Sequence, residues 1–302
     1  MKVAIAVPTL NAGLLWSDWI QALLATGVAI NDIYIIDSGS VDNTVNQSRD
    51  AGFNVIEIKP GTFNHGGTRQ LLVESLVVYE VVVFLTQDAV LASPDAISSL
   101  VNVFDNPTVG AAYGRQLPRK KSTHIEAHAR LFNYPEKSRM NSLEDVDSLG
   151  IKTVFMSNSF AAYRVSALKE VGGFPENTIV SEDMYVAAKM IIGGWKIAYR
   201  ADATVFHSHG YTMFQEFQRY FDIGVFNARE SWIRQRFGIA ESEGGRFVRS
   251  EIAYLMKKNP FLLPGSLLRT FLKLLGYRLG VNEAKIPVFI KAHLSMQKVY
   301  WK

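Results

Sequence analysis

Through the first half of the chain, short apolar runs alternate with segments whose apolar positions recur every three or four residues. The runs Lys2–Val7, Asp32–Ile36, Asn54–Ile58, Val81–Thr86 and Val109–Tyr113 read as strands. Between them, Leu14–Ala25, Asn43–Ala51, Gly67–Leu76 and Pro94–Phe104 carry helical spacing. The runs are apolar throughout rather than alternating, which fits strands covered on both faces. This order predicts an α/β fold built on a mainly parallel, doubly wound sheet. From Leu117 to about Lys152 the pattern lapses into charged loops and an exposed helix. Val154–Ala162 and Lys196–Tyr199 return as strands on either side of a helix over Glu182–Ile192, and after Tyr211 the spacing is wholly helical. The chain therefore divides into an α/β domain, 1–211, expected to hold the chemistry, and a helical region, 212–302.

Composition adds boundaries to this picture. A chain of 302 residues holds one large domain, or one domain with an appendage. Its 48% hydrophobic and 20% charged residues exclude a disordered polypeptide. The absence of cysteine excludes disulfides and thiolate metal sites and fits a reducing compartment. Pro8 and Asn11 cut the first apolar run too short for a secretory segment, and no apolar stretch reaches the ~20 residues of a membrane span. A cytoplasmic location is the expectation.

The formal charge is only +4, but basic residues gather after Arg246: Lys257, Lys258, Arg269, Lys273, Arg278, Lys285, Lys291, Lys298 and Lys302. Leu267, Leu268, Phe271, Leu274 and Leu275 are interleaved with them. This mixture suits helices lying on an anionic membrane surface, and equally a helical subdomain whose apolar face packs on the main body. It carries no nucleic-acid-binding motif, so no nucleic-acid partner is expected.

Chemistry concentrates where strands end. Asp37-Ser38-Gly39-Ser40-Val41-Asp42-Asn43-Thr44 follows an apolar run and opens a helix, with more acids than a strand-to-helix turn requires. Open α/β sheets bind ligands at such carboxyl ends, where Pro8, Thr9 and Asn11 also lie. Asp88, after Gln87, is placed to hold a divalent cation or to cap the next turn. Glu182 and Asp183 start a helix, where the dipole favours acids and one of the pair can face a pocket as a general base. His207 and His209 alternate at a strand end, and imidazole is a frequent metal ligand. In Phe63-Asn64-His65-Gly66-Gly67-Thr68-Arg69, backbone amides could cradle an anion and Arg69 could pair with it; the plainer reading is a capped helix start.

The Asp37–Thr44 stretch resembles the DxGSxDxT element of family 2 glycosyltransferases. With FNHGGTR (63–69), Gly114-Arg115-Gln116, GIKTVFMSNSFAAYR (150–164) and FQRYFDIGVF (217–226), the chain is similar over nearly its whole length to bacterial O-antigen rhamnosyltransferases. The resemblance implies a GT-A fold, Rossmann-like, with a C-terminal helical region. It implies dTDP-L-rhamnose as donor, a polyprenyl-diphosphate-linked oligosaccharide as acceptor, and a Mg2+ or Mn2+ cofactor. Asp183 would be the base with Glu182 beside it; Asp88 and His207 would hold the metal. Pro8, Thr9, Asn11, Asp37, Ser38, Gly39, Arg69 and Gln87 would bind the nucleotide, and His65, Arg115, Asn158 and His209 the substrates. The basic tail would keep the enzyme on the inner leaflet of the cell membrane. The one departure is at Gln87-Asp88-Ala89, where GT-A enzymes normally carry Asp-x-Asp. Two other readings remain in play: another nucleotide-sugar donor such as a UDP-hexose, or a non-catalytic nucleotide-sugar-binding scaffold subunit.

Overall fold

The computed structural model describes residues 1–238 and 241–302. One nine-stranded sheet runs through it: β1 (Val3–Thr9), β2 (Ile33–Asp37), β3 (Asn54–Glu57), β4 (Val81–Leu85), β5 (Val90–Leu91), β6 (Val109–Leu117), β7 (Arg139–Asn141), β8 (Phe160–Arg164) and β9 (Lys196–Phe206). The order is β3-β2-β1-β4-β8-β6-β9-β5, with β7 also on β9. The β3-β2-β1-β4 half is parallel, as the alternation predicts. Beyond it, β8 is antiparallel to both β4 and β6, while β6 and β9 are again parallel.

That insertion decides where the site lies. Because β8 runs the other way, its amino end meets the carboxyl ends of its neighbours: Leu85 faces Phe160 across the ladder. The loop leading into β8 and the loops leaving β1, β2, β4, β6 and β9 therefore share one edge. The expected strand over Val154–Ala162 is corrected on this point. Gly150–Val154 is a 3-10 turn, and the strand begins only at Phe160, leaving Ser157, Asn158 and Ser159 free to reach the edge. The expected end of β1 at Pro8 is also corrected, since Thr9 still pairs with Asp37. Pro8 fits within the strand because its nitrogen points to the β4 side, where the ladder has already ended at Ala6.

Each face of the sheet is covered. Ala4, Ala6, Val82 and Phe84 point toward the helices His65–Ser75, Glu182–Ile192 and Met213–Arg229. Ile5, Val7, Val81, Val83 and Leu85 point toward Trp16–Leu24 and Ala96–Val101. Two-sided burial is why these strands read as unbroken apolar runs. The region after residue 212 adds Phe221, Val225, Phe226, Ile233, Phe237 and Trp301 to the first of these cores. Its start marks a change of element type within one shared core.

Helices Met213–Arg229 and Leu263–Val281 cross at very short range. A Cβ on Gly276 would stand 2.3 Å from the Phe217 carbonyl, and one on Gly280 2.0 Å from that of Phe221. The inner face of Leu263–Val281 is thus made of small residues, and its large apolar residues are turned elsewhere. Among the described residues no helix is long and apolar enough to cross a membrane.

Candidate active site

At the β1–β2 end of the edge, Asp37 is fully buried and its carboxylate is saturated. It accepts from the Thr9 hydroxyl at 2.8 Å, the Ser40 hydroxyl at 2.6 Å, and the Gly39 and Ser40 amides at 3.0 and 2.7 Å. Ser38 donates to the Thr9 carbonyl at 2.9 Å. The Asp37 and Thr9 side chains are both spent on the turn. Their work is to hold the two loops together, and Asn11, with φ +49°, joins in by accepting from the Val41 amide at 2.9 Å. Gln87 likewise bonds both backbone groups of Leu10, at 2.7 and 3.0 Å. The result is a floor of laced backbone at the ends of β1, β2 and β4.

Glu182 and Asp183 occupy the first turn of their helix, entered through Ser181 in the left-handed region at φ +62°. For a residue other than glycine that conformation costs about 1–2 kcal/mol, and it survives because the acids are fixed from several sides. Glu182 is buried and accepts from Arg69 Nη1 at 2.9 Å and Asn158 Nδ2 at 2.9 Å. Asn158 Oδ1 in turn accepts from the Tyr163 hydroxyl at 2.6 Å. Burial alone would raise Glu182, but Arg69, His65 and the Asn158 amide outweigh it and hold the carboxyl below its usual value.

Asp183 is the contrasting neighbour. Each carboxylate oxygen accepts one backbone N–H, from Asn158 at 3.0 Å and Met184 at 2.8 Å. No cation pairs with it among the described residues. Burial, and then repulsion from ionised Glu182, push it up to about 6. It is therefore a carboxylate at neutral pH, with spare lone pairs and raised basicity.

The third cluster joins two loops. Asp88 follows β4, while His207 and His209 follow β9; Asp88 Oδ2 lies 3.2 Å from His207 Nε2 and 3.6 Å from His209 Nδ1. One ligand atom from each falls within 4.8 Å of the others. His207 Nδ1 meets Gln116 Oε1 at 2.8 Å, and Gln116 Nε2 donates to Ser157 Oγ at 2.9 Å. Gln116 therefore accepts, Nδ1 carries the proton, and Nε2 presents a lone pair toward a carboxylate. That buried Nε2 has no hydrogen-bond partner. Burial pushes His207 down despite Asp88, and burial with His207 beside it pushes His209 down to about 2, so both rings are neutral. Two neutral imidazoles and a carboxylate converging on one point fit a divalent cation.

Several expected residues take other tasks. Arg69 does not reach into the site as an anion clamp: it is buried against Glu182 and the His65 carbonyl. Gly66 and Gly67 do not form an anion cradle. The Gly67 amide is capped by Asn64 at 2.8 Å, and a Cβ on Gly66 would stand 1.7 Å from the Pro175 carbonyl, so this glycine serves close packing. Arg115 turns away to the Tyr134 carbonyl and Glu136, since alternation along β6 sends it to the face opposite Gln116. His65 meets Gln297 from the C-terminal segment at 3.3 Å. His209, expected on a substrate, stands in the Asp88–His207 cluster. Sequence reasoning passed over Gln116 and Tyr163; a buried Gln at the end of an apolar strand was the available signal for the first.

The model of Glycosyl transferase family group 2 matches residues 81–276. The O-antigen chain rhamnosyltransferase RfbN of Salmonella typhimurium is 50% identical over 302 residues, all of this chain and 96% of that protein. The O-antigen chain rhamnosyltransferase WbaN of Salmonella anatum is 49% identical over 296 residues, covering 98% and 94% of the two chains. Among solved structures, the mannosyltransferase PcManGT of Pyrobaculum calidifontis superposes with a TM-score of 0.55 at 18% identity, covering 99% of this chain and 84% of that one. At that identity the likeness speaks to the fold, which is GT-A.

Proposed function

Because the chain belongs to the group 2 family of glycosyl transferases, we propose that it is an inverting rhamnosyltransferase of O-antigen assembly, with dTDP-L-rhamnose as donor and a polyprenyl-diphosphate-linked oligosaccharide as acceptor. The observation that carries the reading is Asp183: a half-buried carboxylate raised to about 6, flanked by Glu182 held ionised on Arg69. Such a group removes the proton from the acceptor hydroxyl as its oxygen attacks the anomeric carbon, and the bond to the donor diphosphate breaks on the opposite side. A single displacement of this kind inverts the anomeric centre. Asn158 fixes the base through its amide and fixes Glu182 through its side chain, so one residue sets the spacing of the pair.

Asp88, His207 and His209 are the residues that would hold Mg2+ or Mn2+. When bound, the cation supplies charge neutralisation for the leaving diphosphate. The laced loops after β1 and β2 offer backbone groups for the nucleoside, with Ser38, Gly39 and Asn11 at the turn and Leu10 and Val41 exposed beside it.

Membrane attachment belongs to the same proposal. Met256, Phe261, Phe271, Leu274, Val288 and Phe289 are exposed on the C-terminal helices, alongside exposed Lys257, Lys258, Arg278 and Lys285. Three of the basic residues in the tail do not contribute: Arg269 and Lys273 pair with Glu216, and Lys291 pairs with Glu283. What remains is an apolar surface rimmed by lysines, suited to an anionic leaflet where a polyprenyl acceptor would lie.

Thermal stabilisation by dTDP, UDP and GDP, each with and without Mg2+ or Mn2+, tests the donor. A ligand that binds only the native state raises the midpoint by mass action. The proposal expects the largest, metal-dependent shift with dTDP. A larger shift with UDP moves the donor assignment, and no shift with any nucleotide favours the non-catalytic scaffold.

A further inference from the structure

Three arginines surround the Asp88–His207–His209 cluster without a carboxylate of their own. Arg119 donates through Nη2 to the Asp88 main-chain carbonyl, and its buried Nε has no partner. Arg130 donates to Gln116 Oε1 at 2.6 Å, the same oxygen that orients His207. Arg219 lies 5.8 Å over the Tyr211 ring, which is stacked on His209 at 4.7 Å. Among the described residues none of the three makes an ion pair. Arg130 is half-buried, and burial, helped by the nearby Arg219 charge and opposed by Tyr134, Tyr211 and Asp88, pulls its pKa down. A partly desolvated guanidinium without a counter-ion is unfavourable unless an anion arrives to pair with it.

We propose that Arg119, Arg130 and Arg219 form a second anion subsite beside the metal cluster, which takes the diphosphate of the acceptor. This rests on the glycosyltransferase reading above. The charge balance favours a second anion. Three guanidiniums and a divalent cation against the Asp88 and Asp183 carboxylates leave roughly three positive charges, whereas a nucleotide-sugar donor brings about two negative ones. Placement favours the acceptor. Arg219 stands on the helix Met213–Arg229, which crosses Leu263–Val281 at the glycine contacts, and Arg269 of that second helix holds the Tyr211 carbonyl at 2.9 Å. The exposed Phe271 and Leu274 belong to the same second helix. A lipid diphosphate held by Arg219 would thus sit at the edge of the apolar surface, with its first sugars directed toward Asp183. Planar guanidiniums recognise phosphate oxygens in pairs, which sets the register of the acceptor as well as its affinity.

Two measurements on Arg219→Gln and Arg130→Gln test the subsite, with Arg219→Gln as the variant whose exposed position leaves the fold intact. The first is calorimetric titration of inorganic pyrophosphate in EDTA, which reads the arginines without the metal. Wild type should bind, and each variant should bind about tenfold more weakly. The second is the ratio of kcat/KM for a diphosphate-linked acceptor to that for a neutral glycoside of the same sugar, together with the Kd of dTDP in Mn2+. The ratio should fall about tenfold in Arg219→Gln while the dTDP affinity is kept. Loss of dTDP affinity with an unchanged ratio would assign the arginines to the donor and overturn the second subsite. Equal pyrophosphate binding by wild type and both variants would also overturn it. A failure of the broader reading looks different: no dTDP binding and no transfer, with the pyrophosphate titration still informative.

Discussion

Asp37 and Asp183 are the same residue type at the same edge of one sheet, and their surroundings give them opposite tasks. Asp37 accepts four hydrogen bonds from Thr9, Gly39 and Ser40, so its charge is fully used in holding two loops. Asp183 accepts two, stands beside a second carboxylate, and is pushed up to about 6. A saturated carboxylate builds, and an under-satisfied one keeps lone pairs free for a proton. The same rule separates Arg69, paired in the core with Glu182, from Arg219, which faces solvent with no ion pair among the described residues.

The sharpest break between the two acids is in rate. Asp183→Asn should lower kcat by about 10²–10⁴ with the fold retained, as measured by single-turnover transfer; near-normal turnover would remove the base from the account. Arg69→Met leaves Glu182 buried without its cation and should destabilise the protein by about 3–5 kcal/mol, read from denaturant midpoints. In the molecules that stay folded, Glu182 takes up a proton, its repulsion on Asp183 disappears, and the acid limb of the rate profile moves to lower pH. Asp37→Asn keeps one oxygen to accept from the Gly39 and Ser40 amides but loses the charge and puts an NH2 donor opposite the Thr9 and Ser40 hydroxyls. It should cost about 2–4 kcal/mol of stability, while the nucleotide affinity of the folded fraction changes far less; the reverse ordering would return Asp37 to the ligand. Smallest of all, Phe261→Ser with Phe271→Ser should leave stability within about 0.5 kcal/mol and weaken sedimentation with anionic vesicles severalfold. Point changes suit this test because a truncation would strip residues from the shared core.

What the sequence made legible follows from how local each signal is. The parallel half of the sheet could be read because its strands are contiguous apolar runs separated by helical spacing. The acid pair could be read because it stands at a helix start within a chain that resembles family 2 glycosyltransferases over nearly its whole length. The partners were not legible: Arg69 reaches Glu182 only because its helix and that of Glu182 cover the same face of the sheet. Gln116 and His207 meet because β6 and β9 run parallel, a pairing of strands distant in sequence. The antiparallel β8 carried no periodic signature of its direction, so the role of Asn158 in spacing the acids could be named only once the loop before Phe160 was seen to reach the edge.

The most direct measurement is the pH dependence of kcat/KM for the wild-type enzyme, which reports the free protein. The folded-state pKa of Asp183 lies above that of an ordinary carboxylate, so the folded protein holds this proton more tightly than the unfolded chain does. Stability from this group is therefore present at acid pH and is lost as the pH rises through about 6, where the group becomes competent as a base. The enzyme works on the side of that window where the charge is uncomfortable. An acid limb of unit slope near pH 6 is the predicted result. Activity that stays level down to about pH 4.5, with the fold intact, would mean that Asp183 titrates as an ordinary surface carboxylate does and would contradict the account.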